Sequence, residues 1–164
     1  MNQSDSEIKV AVLTVSDGVT AGTREDLSGA LAVQMLGDGL HPVEISSKVV
    51  PDDNLLIQTA LIRWVDEGYK LIVTSGGTGI SPRDNTPQAT LAVIDYVVPG
   101  VAELMRMESF KHTPMAALSR AVVGVRGRTL IVNLPGSPKG VRECLEVIMP
   151  ILPHAFEQLA SGAG

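Results

Sequence analysis

The stretch LIVTSGGTGISPRDNTP, residues 71–87, constrains the fold more than any other part of the chain. Leu71, Ile72 and Val73 form a short apolar run rich in β-branched residues, as in a strand buried on both faces. The chain then breaks into Gly76, Gly77, Thr78 and Gly79. Glycines allow positive φ and let bare backbone approach a ligand. Thr86 is predicted to cap a helix whose first turn holds Pro87. A strand, a glycine loop and a helix start in succession suit an anion, because backbone N–H groups and the helix N-terminus both point at it. Arg83 and Asp84 in the same loop suggest chemistry as well as binding. The pattern is neither a P-loop, since no Gly-Lys-Ser/Thr follows, nor the dinucleotide fingerprint. A tight βα turn would use the same glycines, so a site has to rest on several segments together.

Those segments emerge from the alternation of elements. Residues 8–15 are a nearly continuous apolar strand, and residues 43–50 a second. Between them Leu27, Ala30, Leu31 and Met35 recur at helical spacing, with Asp26 or Ser28 as cap and Gly37 or Gly39 as stop. Ile57, Ala60, Leu61, Trp64 and Val65 mark the clearest helix, which Gly68 ends. After residues 71–87, helical patterns cover 89–94 and, beyond Pro99 and Gly100, a short stretch around 101–108. Residues 109–118 read as irregular. Residues 121–125 and 129–132 read as a tight antiparallel hairpin turning at 126–128. Ser137 and Pro138 open a helix lined by Val141, Cys144, Leu145 and Ile148. Pro150 and Pro153 break or kink it before a last turn or two to Leu159. Residues 1–7 are polar and expected to be loose, and residues 161–164 to fray. The expected fold is therefore one α/β domain over residues 1–164. It is a three-layer sandwich with a mostly parallel sheet plus a β-hairpin as antiparallel edge.

Such a sheet binds ligands beyond the carboxyl ends of its parallel strands. Four polar segments occupy that position: Ser16 and Asp17; Asp52 and Asp53; residues 76–84; and residues 133–137. One of Asp52 and Asp53 is expected to cap the following helix, leaving the other free. The plain alternative to a site is that Asp84 pairs with Arg83 or caps locally and that Arg120 is a surface charge. Carboxylates on neighbouring strand ends suit Mg²⁺, which bridges phosphate oxygens through one or two of them. The glycine loops would hold a phosphate chain, and a pocket near Ser16, Asp17 and Asp26 a second substrate.

Composition removes other classes. The net charge is −5, there is no basic run, and aromatic residues are 3%, so neither the electrostatic stripe nor the stacking platforms of a nucleic-acid binder are present. His41, His112 and His154 lack zinc-ligand spacing. Cys144 is the single cysteine, on an apolar helical position, so no intrachain disulfide forms and a core role is expected. No run of transmembrane length and no basic-apolar leader occurs, so a cytoplasmic location is expected. Mean hydropathy is +0.22, which suits a doubly covered sheet or apolar surface buried in an oligomer.

Six motifs in order resemble one family: TVSD at 14–17, VPD at 50–52, TSGGTG at 74–79, RDNTP at 83–87, LSR at 118–120 and NLPGSP at 133–138. Together they resemble the molybdopterin adenylyltransferases of the MogA/MoaB type, related to the G domains of gephyrin and plant molybdenum-cofactor enzymes. The resemblance spreads over residues 8 to about 150. It implies the molybdenum-cofactor biosynthesis protein fold, a homotrimer, and transfer of adenylate from MgATP to molybdopterin with release of pyrophosphate. It also implies transient contact with other proteins of the pathway. Asp52 and Asp84 match the family's essential aspartates and are carried over as catalytic and Mg²⁺-holding residues. Thr74, Gly76, Gly77, Thr78, Gly79, Pro135, Gly136, Ser137 and Pro138 match nucleotide-binding segments. Ser16, Asp17, Asp26 and Ser28 match part of the pterin side. Two residues depart from the family pattern: Asp53 stands where glutamate is common, and Gln88 where an acid usually follows Thr-Pro. A non-catalytic trimeric module that binds pterin or nucleotide is the alternative. A hydrolase of nucleotide-sugar pyrophosphates would need a different glycine loop.

Overall fold

In the computed structural model the described residues are 7–161. Residues 1–6, most of the segment expected to be loose, and residues 162–164 lie outside them. Six strands form one sheet in the order β2-β1-β3-β6-β5-β4. They are β1 (Lys9–Val15), β2 (Glu44–Val50), β3 (Leu71–Ser75), β4 (Tyr96–Val97), β5 (Val123–Arg126) and β6 (Thr129–Leu134). β2, β1, β3 and β6 run parallel, β5 pairs antiparallel with β6, and β4 pairs antiparallel with β5. The hairpin is present, with Arg126 opposite Thr129. It is not the edge, however: β6 lies inside the sheet beside β3, and the outer strand is the two-residue β4, too short to leave a periodic signal.

Alternate side chains of each central strand enter opposite layers, as a period of two requires. Val10, Val12, Leu71, Val73, Leu130 and Val132 face α2 (Leu27–Leu40), α5 (Pro99–Phe110), α6 (Pro138–Ile148) and α7 (Leu152–Ser161). Ala11, Leu13, Ile72 and Ile131 face α3 (Asn54–Asp66) and α4 (Thr86–Val93). All five residues of β3 are buried, so the strand entering the glycine loop is held on both sides.

Several helix ends differ from expectation. Ser16 caps a single turn, α1 (Asp17–Thr20), where a loop was expected. α2 runs past Gly37 and Gly39 to Leu40 and stops at His41, which takes φ +47. Its core face is Ser28, Gly29, Ala32 and Leu36, whereas Leu27 and Ala30 are exposed. The small residues turn inward because the helix start sits tight on β1: a Cβ on Gly29 would strike Thr14 and Asp26. Thr86 is not a cap; it is the first residue of α4, and its hydroxyl donates to Gly76 O at 2.9 Å. Pro99 begins the twelve-residue α5, consistent with proline's fit to a first helical turn. The stretch read as irregular holds a 3₁₀ turn at Pro114–Leu118. A second 3₁₀ turn, Met149–Ile151, carries Pro150 between α6 and α7, and Ser161 is still helical rather than frayed.

Candidate functional site

The carboxyl ends of β1, β2, β3 and β6 open onto a polar cleft of about 810 Å³. Asp53 caps α3 by accepting from Leu56 N at 3.0 Å, which leaves the side chain of Asp52 for the cleft. The glycine loop packs against that carboxylate. Gly77 has φ +68, and a Cβ there would lie 2.7 Å from Asp52 Oδ1 and strike Thr86 Oγ1. A Cβ on Gly79 would lie 2.8 Å from Asp84 Oδ2. One short loop therefore has both aspartates beside its backbone.

Asp52 Oδ1 accepts from Asn85 N at 3.4 Å, and Asp84 Oδ2 from Ser81 N at 2.9 Å. Each carboxylate keeps its other oxygen without a hydrogen bond among the described residues. Burial pushes the Asp52 carboxyl above its ordinary range; the Asn85 N–H opposes this, and the charges of Asp17 and Asp84 add to it. Two half-free, mutually repelling carboxylates fit Mg²⁺, which keeps several waters and takes substrate oxygens. No group of three His, Cys, Asp or Glu able to hold a metal occurs among the described residues.

Arg83 does not pair with Asp84. Its Nη2 and Nε donate to Asp17 Oδ2 at 2.6 and 3.1 Å, while Asp17 Oδ1 accepts from Asp52 N at 2.9 Å. The Arg83 hydrogen bond, helped by the Asp52 N–H, holds the Asp17 carboxyl below the usual range. Both partners are well exposed, so the link contributes little stability. Its effect is positional, tying α1, the loop after β2 and the loop after β3 together. Asn85 closes the same ring by donating to Asp52 O at 3.3 Å and Arg83 O at 3.1 Å.

Ser16, Asp17, Asp26 and Ser28 all line the cleft, and local bonds already engage their side chains. Ser16 caps α1. Asp26 accepts from Gly29 N at 2.9 Å and from the Thr14 hydroxyl at 2.8 Å. The Ser28 hydroxyl donates to Gly136 O at 2.7 Å and so ties α2 to the loop after β6. Gly76, Gly77, Gly136, Ser137 and Pro138 also line the cleft. Gly76 (φ +100) lies so close to β1 that a Cβ would strike Val15 O.

Thr78, Gly79, Pro135 and Ser137 line a second, mainly apolar pocket of about 300 Å³ between α5, the turn at Pro114–Leu118 and the start of α6. Ser137 borders both cavities. Thr74 reaches neither: it is fully buried, and its hydroxyl accepts from Asn133 Nδ2 at 3.0 Å. Asn133 also donates to Thr90 Oγ1 at 2.9 Å and accepts from Val122 N at 3.0 Å, joining β3, α4, β6 and the entry to β5. Gln88 is exposed and lines neither cavity. Cys144 is buried as expected, and burial pushes its thiol up.

Arg120 has a role that its sequence position does not announce. It is half-buried, and it donates from Nε to Gly79 O at 2.7 Å and from Nη2 to Asp84 O at 3.0 Å. Its backbone N–H donates to Thr78 O at 2.8 Å. One guanidinium thus pins both ends of the segment from Gly79 to Asp84. A lone arginine carries no local signal for this, since its partners lie 41 and 36 residues away; only its place in the LSR motif marked it.

The family described as probable molybdopterin binding domain matches residues 11–154. The molybdopterin adenylyltransferase of Helicobacter pylori strain J99 is 45% identical over 153 residues, covering 92% of this chain and 86% of that protein. A solved MogA chain superimposes with TM-score 0.88 at 44% identity, covering 92% of this chain and 99% of that one. The molybdopterin biosynthesis enzyme MoaB from Thermus thermophilus gives TM-score 0.85 at 49% identity, over 94% and 97% of the two chains.

Proposed function

The chain belongs to the family of probable molybdopterin binding domains, and from that premise we propose that it is a molybdopterin adenylyltransferase of molybdenum-cofactor biosynthesis. The terminal phosphate of molybdopterin attacks the α-phosphorus of ATP. The bond from that phosphorus to the oxygen bridging to the β-phosphate breaks, and pyrophosphate leaves. The observation that carries this reading is the packing of Asp52 and Asp84 against Gly77 and Gly79 of one loop. Bare backbone lets a phosphate chain lie against the loop, and phosphoryl-type transfer needs positioning and charge neutralisation more than covalent help from the protein.

Asp52 and Asp84 would hold Mg²⁺, which supplies positive charge to the phosphate oxygens. Arg83 keeps Asp17 engaged, so the free negative charge facing the phosphates is that of Asp52 and Asp84. Molybdopterin takes the polar cleft beside Ser16, Asp17, Asp26 and Ser28. The adenosine half takes the apolar pocket behind Thr78 and Gly79, where Met105, Met115 and Leu118 offer surface to a purine. Ser137, shared by the two cavities, marks where the substrates meet.

A homotrimer is part of the same reading. Tyr96 and Val97 on the edge strand and Met107 and Phe110 on α5 are 49–67% exposed, apolar surface that association would bury. A native mass three times the 17.3 kDa chain checks this. No helix among the described residues is long and apolar enough to cross a membrane. The reading is of a cytoplasmic enzyme acting on small molecules, with transient contacts to other proteins of the pathway.

The test is pyrophosphate release from MgATP with and without purified molybdopterin. Release that depends on molybdopterin supports the transferase. Pterin binding without any release would replace it with the carrier module.

A further inference from the structure

Building on the placement of the adenosine in the apolar pocket, we propose that Glu143 selects the nucleotide by accepting a hydrogen bond from a polar N–H or O–H of its nucleoside. Glu143 lines that pocket from α6, and its side chain is 13% exposed. Its Oε1 is the one buried side-chain nitrogen or oxygen among the described residues with no hydrogen-bond partner. Lys139 Nζ stands 4.0 Å away, too far for a hydrogen bond, on a side chain that is 75% exposed. A buried carboxylate oxygen without a donor is unfavourable, and a ligand that brings the donor relieves it.

Several other polar groups around the pocket already have partners within the protein. Arg106 donates to Ala121 O at 2.9 Å, Asn133 has its three bonds, and the Ser109 hydroxyl and the Cys144 thiol lie 3.7 Å apart as a pair. Among the described residues, Glu143 therefore stands out in this mainly apolar pocket as the buried acceptor that no donor reaches. It lies five residues along α6 from Pro138, about 7.5 Å at the helical rise per residue. A phosphate at Ser137 would put the ribose or the base of the same nucleotide beside it. The exocyclic amine of adenine and the ribose hydroxyls share the required chemistry. An acceptor in the same place, such as the carbonyl of hypoxanthine, would face a carboxylate and be rejected.

The experiment is calorimetric titration of the full chain with the magnesium complexes of ATP, inosine triphosphate, 2′-deoxyATP and 3′-deoxyATP. It is repeated for Glu143→Met, which keeps length and removes the acceptor, and for Glu143→Gln, which can still accept. The wild type should bind at least one analogue about ten-fold more weakly than ATP. An inosine penalty identifies the amine, and a deoxy penalty identifies the hydroxyl. In Glu143→Met that analogue and ATP should bind alike, in Glu143→Gln part of the difference should return, and ligand-free Glu143→Met should melt higher than wild type. Discrimination in Glu143→Met equal to wild type, or none in wild type, overturns the role of Glu143 and leaves the transferase reading standing. A wild type that neither binds ATP nor releases pyrophosphate overturns both.

Discussion

The two ends of the central sheet hold carboxylates in opposite states. At the end where β1, β2 and β3 begin, Glu44 Oε1 accepts from the Tyr69 hydroxyl at 2.6 Å. Ser46 Oγ lies 2.6 Å from the same hydroxyl. Lys9 Nζ lies 3.8 Å from the other Glu44 oxygen and 4.5 Å from the Tyr69 ring centroid. The Tyr69 bond, with Lys9 helping, keeps Glu44 below the usual carboxylate range. At the other end, Asp52 is raised by burial and by two carboxylate neighbours, and among the described residues no lysine or arginine hydrogen-bonds to it or to the Asp84 side chain. One end satisfies its charges with the chain's own groups. The other leaves the Asp52 and Asp84 carboxylates without a basic partner among the described residues, at some cost in stability. That asymmetry is what favours the proposed site at this end of the sheet.

The largest effect should come from Asp84→Asn. It should lower molybdopterin-dependent pyrophosphate release by about a hundred-fold or more, as loss of one preorganised charge does, while the circular-dichroism spectrum and Tm stay near wild type. Near-normal turnover in a folded variant would break the contrast between the two ends. Gly77→Val comes next. Its Cβ meets Asp52 and Thr86 at φ +68, so strain of about 1–3 kcal/mol is expected, together with loss of ATP binding by calorimetry. Unchanged ATP affinity would mean the phosphates lie elsewhere.

Arg120→Ala should act through position. Releasing the carbonyls of Gly79 and Asp84 should lower kcat about ten- to a hundred-fold. Added guanidinium should restore part of that loss, and Arg120→Lys should recover less than the native fork. A drop in Tm with kcat unchanged would instead make Arg120 purely structural.

The smallest effect sharpens the comparison through pH. Because Asp52 titrates above its ordinary 3.8 in the fold, its ionisation penalises the native state. The penalty is absent below the unfolded pKa and complete above the folded one. Asp52→Asn should therefore raise Tm at pH 7, with the gain fading as pH falls through that window. Glu44, held below its ordinary 4.5, contributes stability that is present above that value and lost as pH falls through the lowered pKa. Glu44→Gln should lower Tm at pH 7 and match wild type in stronger acid. Tm shifts of the same sign at pH 7 would show that the two ends are not distinct.

The layers and the four converging loops were legible in the order of residues. α3 was legible because Ile57, Ala60, Leu61 and Trp64 all fall on one 3.6-residue face. The central strands were legible because burial on both sides forces unbroken apolar runs. That one of Asp52 and Asp53 would cap α3 followed from local chemistry at a helix start; that Asp53 is the cap and Asp52 the free partner was decided by the fold. The inward face of α2 was not legible, since close approach to β1 selects Gly29 and Ala32 over the larger Leu27. Nor were the pairing of Arg83 with Asp17 across 66 positions, the grip of Arg120 on loop carbonyls, or the unpartnered oxygen of Glu143. Periodicity and capping act within a few residues of chain, so a sequence displays them directly. Which charge meets which across the strand ends depends on the parallel crossovers that bring those loops together, and those meetings exist only once the chain has folded.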